Sequence, residues 1–456
     1  MTKRPTKSKT PAGNTPARKI PARKPAAGQR ATATKAGNAA AATPANAKTR
    51  SRVCFLVGSV AISGGTYVIF QHAIHLQKAG FEVTLAVQDP FDATTAAWHD
   101  AGHTLRCLSF EAARQESYDL VIATWWRTAL KISDFDAPRH AYFVQSIESR
   151  FYPAAETPIR ALVDATYSLP VSYITEATWI RKHLADRHGQ RATLVRNGIR
   201  KDLYTQQGPC IAPRVEGTPR VLVEGHFNVS FKNTALALKV ARDAGAKDIW
   251  VLTGTEVGSL PGASRVFSRL PIGETPQVFR SCDILIKLST VEGMFGPPLE
   301  MFHCGGTALV FDVTGFDEYI EPDRNAVVVR NHDVNRCVAE LRDLLSNATR
   351  LKALKDAATG TAAQWPDWNQ SSAQFRAWVE VALRGPKSNR ARMDEIIRNA
   401  WADYDRDEAA RLKADPSIAR GHRRDALIRK LPKRLQDLIR RARLLMEVTF
   451  PPKVST

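Results

Sequence analysis

Two glutamates eight residues apart, Glu292 and Glu300, straddle a Gly/Pro turn in the stretch Ser-Thr-Val-Glu-Gly-Met-Phe-Gly-Pro-Pro-Leu-Glu-Met-Phe-His-Cys-Gly-Gly-Thr at 289–307. Pro297 and Pro298 suit the opening of a helix, where proline's fixed φ fits and its missing N–H is not needed. Glu292 then falls on the loop after a strand and Glu300 about one turn into the helix, so both can face one cleft. The amides around Phe295, Gly296 and the prolines, with the helix dipole behind them, suit an anion such as a diphosphate. A carboxylate on that helix can accept two hydroxyl hydrogen bonds, as a ribose diol would offer. Glu300 stands among Leu299, Met301 and Phe302, where an unpartnered carboxylate would be costly.

These side chains need a scaffold, and the hydrophobic pattern supplies an α/β one. Residues 52–60 form a buried-strand pattern, followed by a Gly-rich turn at Ser63-Gly64-Gly65 and a helical stripe through Val68, His72, Ile74, His75, Leu76 and Ala79. Phe81–Val87 is the next strand, and strand-like runs recur at 104–109, 118–124, 140–145, 168–174 and 192–196. After a Pro/Gly-rich break at 208–219 a second set begins, at 220–225, 248–253, 283–288, 307–312 and 325–329, with helical stretches at 233–244, 275–281, 297–304 and 333–346. Strands alternating with helices predict parallel sheets covered on both faces. Four segments are expected: a disordered basic tail at 1–50, a Rossmann-like domain at 51–207, a second at 208–385, and a basic helical extension at 386–456. The helix at 368–385 is expected to pack back on the first domain. Open parallel sheets bind ligands at the carboxyl ends of their strands, so two facing sheets would enclose a deep cleft.

The 289–307 stretch resembles the E-x7-E motif of the family-four retaining glycosyltransferases, and other segments are similar to that family too. Gly64-Gly65 resembles its glycine loop, Arg196-Asn197-Gly198-Ile199 its P-N-G segment, and Val223-Glu224-Gly225 with Lys232-Asn233 its G-R…K-N segment. Val313–Tyr319 resembles its G-G-x-x-E turn. The wording of these motifs is most similar to envelope-polysaccharide and rhamnosyltransferase-like members, over about residues 52–385. The resemblance implies a GT-B fold, a nucleotide-sugar donor bound without a metal or other cofactor, and a glycan or lipid-linked acceptor. It implies that Glu300 binds the nucleotide ribose, that Glu292 holds donor-sugar hydroxyls as the catalytic carboxylate, and that Lys232 neutralises the diphosphate. The Phe295–Gly296 backbone would contact sugar or phosphate. Gly225 and Asn197 would line the donor site, and Gly64 and Gly65 would let the backbone approach the diphosphate, a path that only glycine permits. A departing nucleoside diphosphate develops negative charge, which a cation and oriented amides stabilise. The chain departs from the family where Gly225-His226-Phe227 lacks the usual Arg, leaving Lys232 as the sole obvious cation unless His226 or Arg196 substitutes. Thr124-Trp125-Trp126-Arg127 stands where a His is common. Trp125 and Trp126 would suit a sugar face or an apolar acceptor, with Gln145 and Glu148 on the acceptor side. The base and the sugar would be read by loops around Thr253–Val257 and Leu270–Pro276.

Composition bounds the alternatives. The 456 residues carry a formal charge of +20, but the charge is segregated. Residues 1–50 hold 12 Lys+Arg and no acid, residues 386–456 hold 18 basic and 10 acidic residues, and the body between is neutral. The tail's Ala, Pro, Thr and Lys/Arg composition cannot bury enough apolar area to offset ordering entropy. From Lys433, Leu435, Leu438, Ile439, Ala442, Leu445 and Met446 follow helical spacing among arginines, which predicts a basic amphipathic helix suited to an anionic membrane surface or to docking on the protein's own body. No apolar run reaches spanning length, no secretory h-region follows the N-terminus, and six scattered cysteines without a CxxC pair fit a reducing cytoplasm. The glycines do not follow G-x-G-x-x-G, which excludes a nicotinamide enzyme. A GT-B epimerase and a nonspecific polyanion binder are the alternatives; no module for specific nucleic-acid readout is visible.

Overall fold

The computed structural model describes residues 50–227 and 229–451, so the basic tail expected at 1–50 lies outside the described residues apart from Arg50. Among the described residues the strands build two all-parallel sheets. The first holds β1 (Arg52–Val57), β2 (Glu82–Val87), β3 (Arg106–Ser109), β4 (Leu120–Ala123), β5 (His140–Val144), β6 (Ser172–Thr175) and β7 (Ala192–Leu194), in the order β3-β2-β1-β4-β5-β6-β7. Between them run α1 (Gly64–Lys78), α2 (Phe110–Ala113), α3 (Trp126–Ala129), α4 (Thr157–Thr166) and α5 (Thr178–His188). The second sheet holds β8 (Val221–Glu224), β9 (Ile249–Thr253), β10 (Arg265–Ser268), β11 (Ile284–Lys287), β12 (Thr307–Phe311) and β13 (Val327–Val329), in the order β10-β9-β8-β11-β12-β13. Its helices are α6 (Thr234–Asp243), α7 (Thr275–Ser281), α8 (Gly296–His303), α9 (Val334–Ser346) and α10 (Ala348–Gln364).

The central strands are apolar on both faces because helices cover both. Val53, Phe55 and Val57 face one cluster with α1, while Cys54 and Leu56 face another with α3 and α4. In each sheet the strand order reverses beside the first strand, between β1 and β4 and between β8 and β11. At such a reversal neighbouring loops diverge, leaving a crevice at the carboxyl ends of the strands. The short edge strand β10 was not anticipated. Its Arg-Val-Phe-Ser is incompletely buried and carries little strand signal of its own.

Four further helices close the chain: α11 (Trp368–Ala382), α12 (Arg390–Ala414), α13 (Pro416–Lys430) and α14 (Lys433–Thr449). An Asp367–Gln370 capping box starts α11, which crosses back and sets Trp368, Phe375 and Trp378 in one cluster with Phe55, Phe70 and Phe143. The return runs beside the outward connection: Ile199 N–H donates to the Pro366 carbonyl at 3.2 Å, and a Cβ at Gly198 would collide with the Asp367 backbone. Within the segment read as an extension, α12 packs on α4, placing Met393 and Ala400 in the first half's core. By contrast, α14 rests on α6 through Leu444 and Val448, which are buried in the second half's core. The stripe Leu435, Leu438, Leu445 and Met446, expected to define its apolar face, points away and is exposed.

Candidate active site

The two reversals place their loops around one cavity of about 610 Å³. Its first-half wall comes from the loops after β1, β4, β5 and β6, and its second-half wall from those after β8, β9 and β11 with the start of α8. Gly64, Gly65, Trp125, Gln145, Glu148, Asn197, Gly225, Lys232, Glu292, Gly296 and Glu300 all line it. Thr253, Gly254, Leu270, Ile272 and Thr275, from the loops expected to read base and sugar, line it too.

Charge concentrates on the second-half wall. Lys232 Nζ donates to both oxygens of Glu292 at 2.8 Å. Lys287, at the end of β11, donates to Glu224 at 2.6 Å and lies 3.6 Å from Glu292. Lys232 is therefore not the sole cation of the site, as the sequence had suggested. Burial pushes the Glu292 carboxyl up, but Lys232 and Lys287 outweigh it and hold the group below the usual range. Burial depresses the Lys287 ammonium, and Glu224 and Glu292 more than restore it. Glu300 differs: burial, with Glu224 adding to it, raises its carboxyl to about 8, against partial relief from Tyr204 and Lys287. His226 lines the cavity, its imidazole depressed chiefly by burial, whereas Arg196 pairs with Glu318 at 2.9 Å and does not reach the wall.

Several expectations need correcting. Trp126 turns away from the cavity and is buried in the core beside α4, edge-on to Tyr152, because successive residues at the start of α3 diverge; of the pair only Trp125 faces inward. Of the Phe295–Gly296 backbone expected to meet sugar or phosphate, only Gly296 lines the cavity; Phe295 is fully buried and its carbonyl accepts from the Tyr319 hydroxyl. Pro297 and Pro298 carry no N–H, so among the first four positions of α8 only Gly296 and Leu299 have amides to present. Gly64 and Gly65 do not have positive φ. A Cβ at Gly64 would meet nothing within 4 Å and one at Gly65 only the Gln145 amide at 3.5 Å, so these glycines keep room rather than permit a special backbone path.

The two walls are joined beside Glu292. Glu176, after β6, accepts from Met294 N at 3.0 Å and from Asn197 Nδ2 at 2.9 Å, and the Trp179 indole donates to the Gly293 carbonyl at 2.9 Å. Phe151 and Phe231 stack across the cavity at 4.9 Å. Burial raises the Glu176 carboxyl to about 7. Neither Glu176 nor Lys287 was singled out from the sequence. The available signal was a charged residue ending an apolar strand, which burial would force to find a partner. Gln145 Oε1, Ser146 Oγ and Asn197 Oδ1, on residues that line the cavity, are buried without a hydrogen-bond partner among the described residues.

Glu148 is a core carboxylate as much as a cavity one. Its Oε2 accepts from Trp126 N at 2.7 Å and from the Tyr142 hydroxyl at 3.1 Å. Burial raises its carboxyl from 4.5 to about 8. The folded state therefore holds a proton that the unfolded chain releases, and stability from this group is full below the unfolded pKa and fades as pH rises toward 8. A Glu148→Gln variant is expected to melt at the parent's temperature at pH 4 and several degrees above it at pH 8.5, measured by calorimetry. Equal melting temperatures at both pH values would show that the proton is not held.

Comparison with known proteins follows this geometry. Residues 259–361 match the family model described as glycosyl transferases group 1. The chain is 26% identical over 238 residues to the O-antigen biosynthesis protein RfbC of Myxococcus xanthus, covering 50% of this chain and 18% of that protein. It thus spans less than a fifth of that curated relative's length. Among solved structures, sucrose-phosphate synthase from Thermosynechococcus elongatus superposes with a TM-score of 0.58 at 14% identity, covering 74% of this chain and all of that one. HepE from Anabaena, solved in complex with UDP and glucose, gives 0.58 at 13% identity, covering 73% and 100%. The fold is GT-B, two Rossmann-like sheets facing one cleft. Its second half carries a group 1 glycosyl transferase domain.

Proposed function

We propose that the chain is a retaining glycosyltransferase that moves a hexosyl or deoxyhexosyl group from a nucleotide sugar to a glycan or lipid-linked acceptor. The setting is envelope-polysaccharide synthesis at the cytoplasmic face of a membrane, without a metal cofactor. The observation that carries this reading is the Lys232–Glu292–Lys287–Glu224 cluster facing the first-half wall at the carboxyl ends of both sheets. The group 1 domain, the O-antigen relative and the UDP and glucose bound by HepE support it.

In this reading the bond from the anomeric carbon to the diphosphate oxygen breaks, and its electron pair leaves with the nucleoside diphosphate. The acceptor hydroxyl oxygen bonds the same face of the sugar and passes its proton to the departing phosphate oxygen. Lys232, Lys287 and the Gly296 amide face the growing negative charge, where preorganised donors act most strongly. Glu292 holds donor-sugar hydroxyls between the two ammonium groups. Glu300 accepts from the ribose diol, and Trp125 and Gln145 face the acceptor.

A thermal-shift panel of nucleotide sugars, followed by product analysis with and without glycan acceptors, tests the reading. A bound donor raises the melting temperature by mass action, and transfer gives a glycoside of retained configuration. A new sugar isomer formed from donor alone would instead indicate an epimerase.

Glu300 adds a pH signature. Its carboxyl is raised to about 8 in the free protein, and hydroxyl donors favour the ionised form. Binding near pH 7 is therefore expected to release a proton, and affinity to rise with pH until about 8. Calorimetry in buffers of different ionisation enthalpy reads this directly. In Glu300→Gln the release disappears, and the 2′-deoxy donor binds as well as the ribose form.

A further inference from the structure

Ten large apolar side chains are exposed among the described residues, and six of them lie within residues 427–450: Leu427, Leu435, Leu438, Leu445, Met446 and Phe450. On α14 they are ordered. Leu435, Leu438, Ala442, Leu445 and Met446 recur at steps of three and four, which puts them on one face. The opposite face carries Leu444 and Val448, buried against α6, and Arg242 donates to the Val448 carbonyl at 3.2 Å. The helix is thus fixed to the body by one side and presents a second apolar stripe outward. Burying the inner face leaves the outer one uncovered, so folding of the chain does not explain it.

Charge decides what covers it. Between Pro416 and Thr449 the chain holds ten Lys/Arg and three Asp/Glu. Arg434 and Arg441 flank the stripe without an ion pair among the described residues, while Arg440 and Arg443 approach Asp437 and Asp425 at 3.2 and 3.5 Å. A second copy would bring the same positive surface against itself, and residues 1–49 are also basic. An apolar stripe edged by arginines instead matches a surface whose acyl boundary lies beneath anionic headgroups. We propose that the outward face of α14 docks the protein on an anionic bilayer, with Leu438, Leu445 and Met446 entering the acyl boundary and Arg434 and Arg441 meeting headgroup phosphates. This rests on the helix alone and stands apart from the sugar-transfer reading.

The test is co-sedimentation of the full chain with vesicles of phosphatidylcholine, with and without phosphatidylglycerol. Binding to the anionic vesicles is expected to persist in part at about 0.5 M salt, where purely electrostatic attachment is screened. The triple variant Leu438→Gln/Leu445→Gln/Met446→Gln changes no charge and touches no core side chain; it is expected to lose at least about tenfold in partitioning. Arg434→Gln/Arg441→Gln is expected to weaken binding to anionic vesicles only. Circular dichroism and donor turnover should match the parent in both variants. Binding by the triple variant equal to the parent's would assign attachment to the basic tail and overturn the proposal. A parent that elutes as a dimer and binds no vesicles, with a monomeric triple variant, would overturn it in favour of self-association.

Discussion

A Glu292→Gln variant is expected to bind a nucleoside diphosphate about tenfold more tightly than the parent, roughly 1.4 kcal/mol, and to turn over 10²–10³-fold more slowly. In the free protein both Glu292 oxygens hold Lys232, and Lys287 is close behind. An incoming diphosphate must share those ammonium groups with a carboxylate already in place. Charges this near, in a partly desolvated wall, interact by about 5–6 kcal/mol at an effective dielectric constant of 20. The amide removes that competitor, so product is held harder, while on the proposed function the donor loses the carboxylate assigned to position its sugar. Breaking a buried pair also costs about 3–5 kcal/mol, so the free variant melts lower and regains stability when ligand is added. Calorimetric titration with UDP beside a turnover assay reads both effects. Tighter binding with unchanged kcat would show Glu292 to be a counterion alone, and weaker binding would sink the competition argument. Lys232→Ala provides the opposite control, with binding weakened.

The second large effect is expected at Gly293. A Cβ there would clash with the Gln145 carbonyl oxygen and lie 2.8 Å from Glu176 Oε1, both from the facing wall. Gly293→Ala therefore cannot be absorbed by a side-chain rotation, because one neighbour is backbone and the other is tied to Met294 and Asn197. The walls must separate beside Glu292. A displacement of about 1 Å at a reacting centre costs on the order of 100-fold in rate, so kcat should fall by that much while each half stays folded. Small-angle scattering should report a wider particle and circular dichroism an unchanged one. Parental activity in this variant would mean that the cleft works in a more open form.

Much of this architecture was legible in the residues, for reasons that can be named. Central strands such as Val53–Val57 and Ile249–Thr253 are continuous apolar runs, because helices cover both faces of each sheet. Glu292 and Glu300 could be placed because Pro297-Pro298 marks where the loop becomes a helix. Lys287 was missed because its partner Glu224 lies 63 residues away on a neighbouring strand, and adjacency across a parallel sheet leaves no local trace. Trp126 was misplaced because a pair of tryptophans gives no hint of which one turns inward. The stripe of α14 was read correctly as amphipathic, but its docking residues, Leu444 and Val448, lie on the other side and follow from contact with α6.

The return of α11 and α12 to the first sheet has a consequence for how the protein is made. Phe55 and Phe143 stay uncovered until Phe375 arrives, more than two hundred residues later. As the polypeptide leaves the ribosome, the half synthesised first must wait, partly open, until the other has emerged. Its last helices then close it, so a stalled or clipped chain ending near Gln364 would expose an aromatic surface for chaperones to shield.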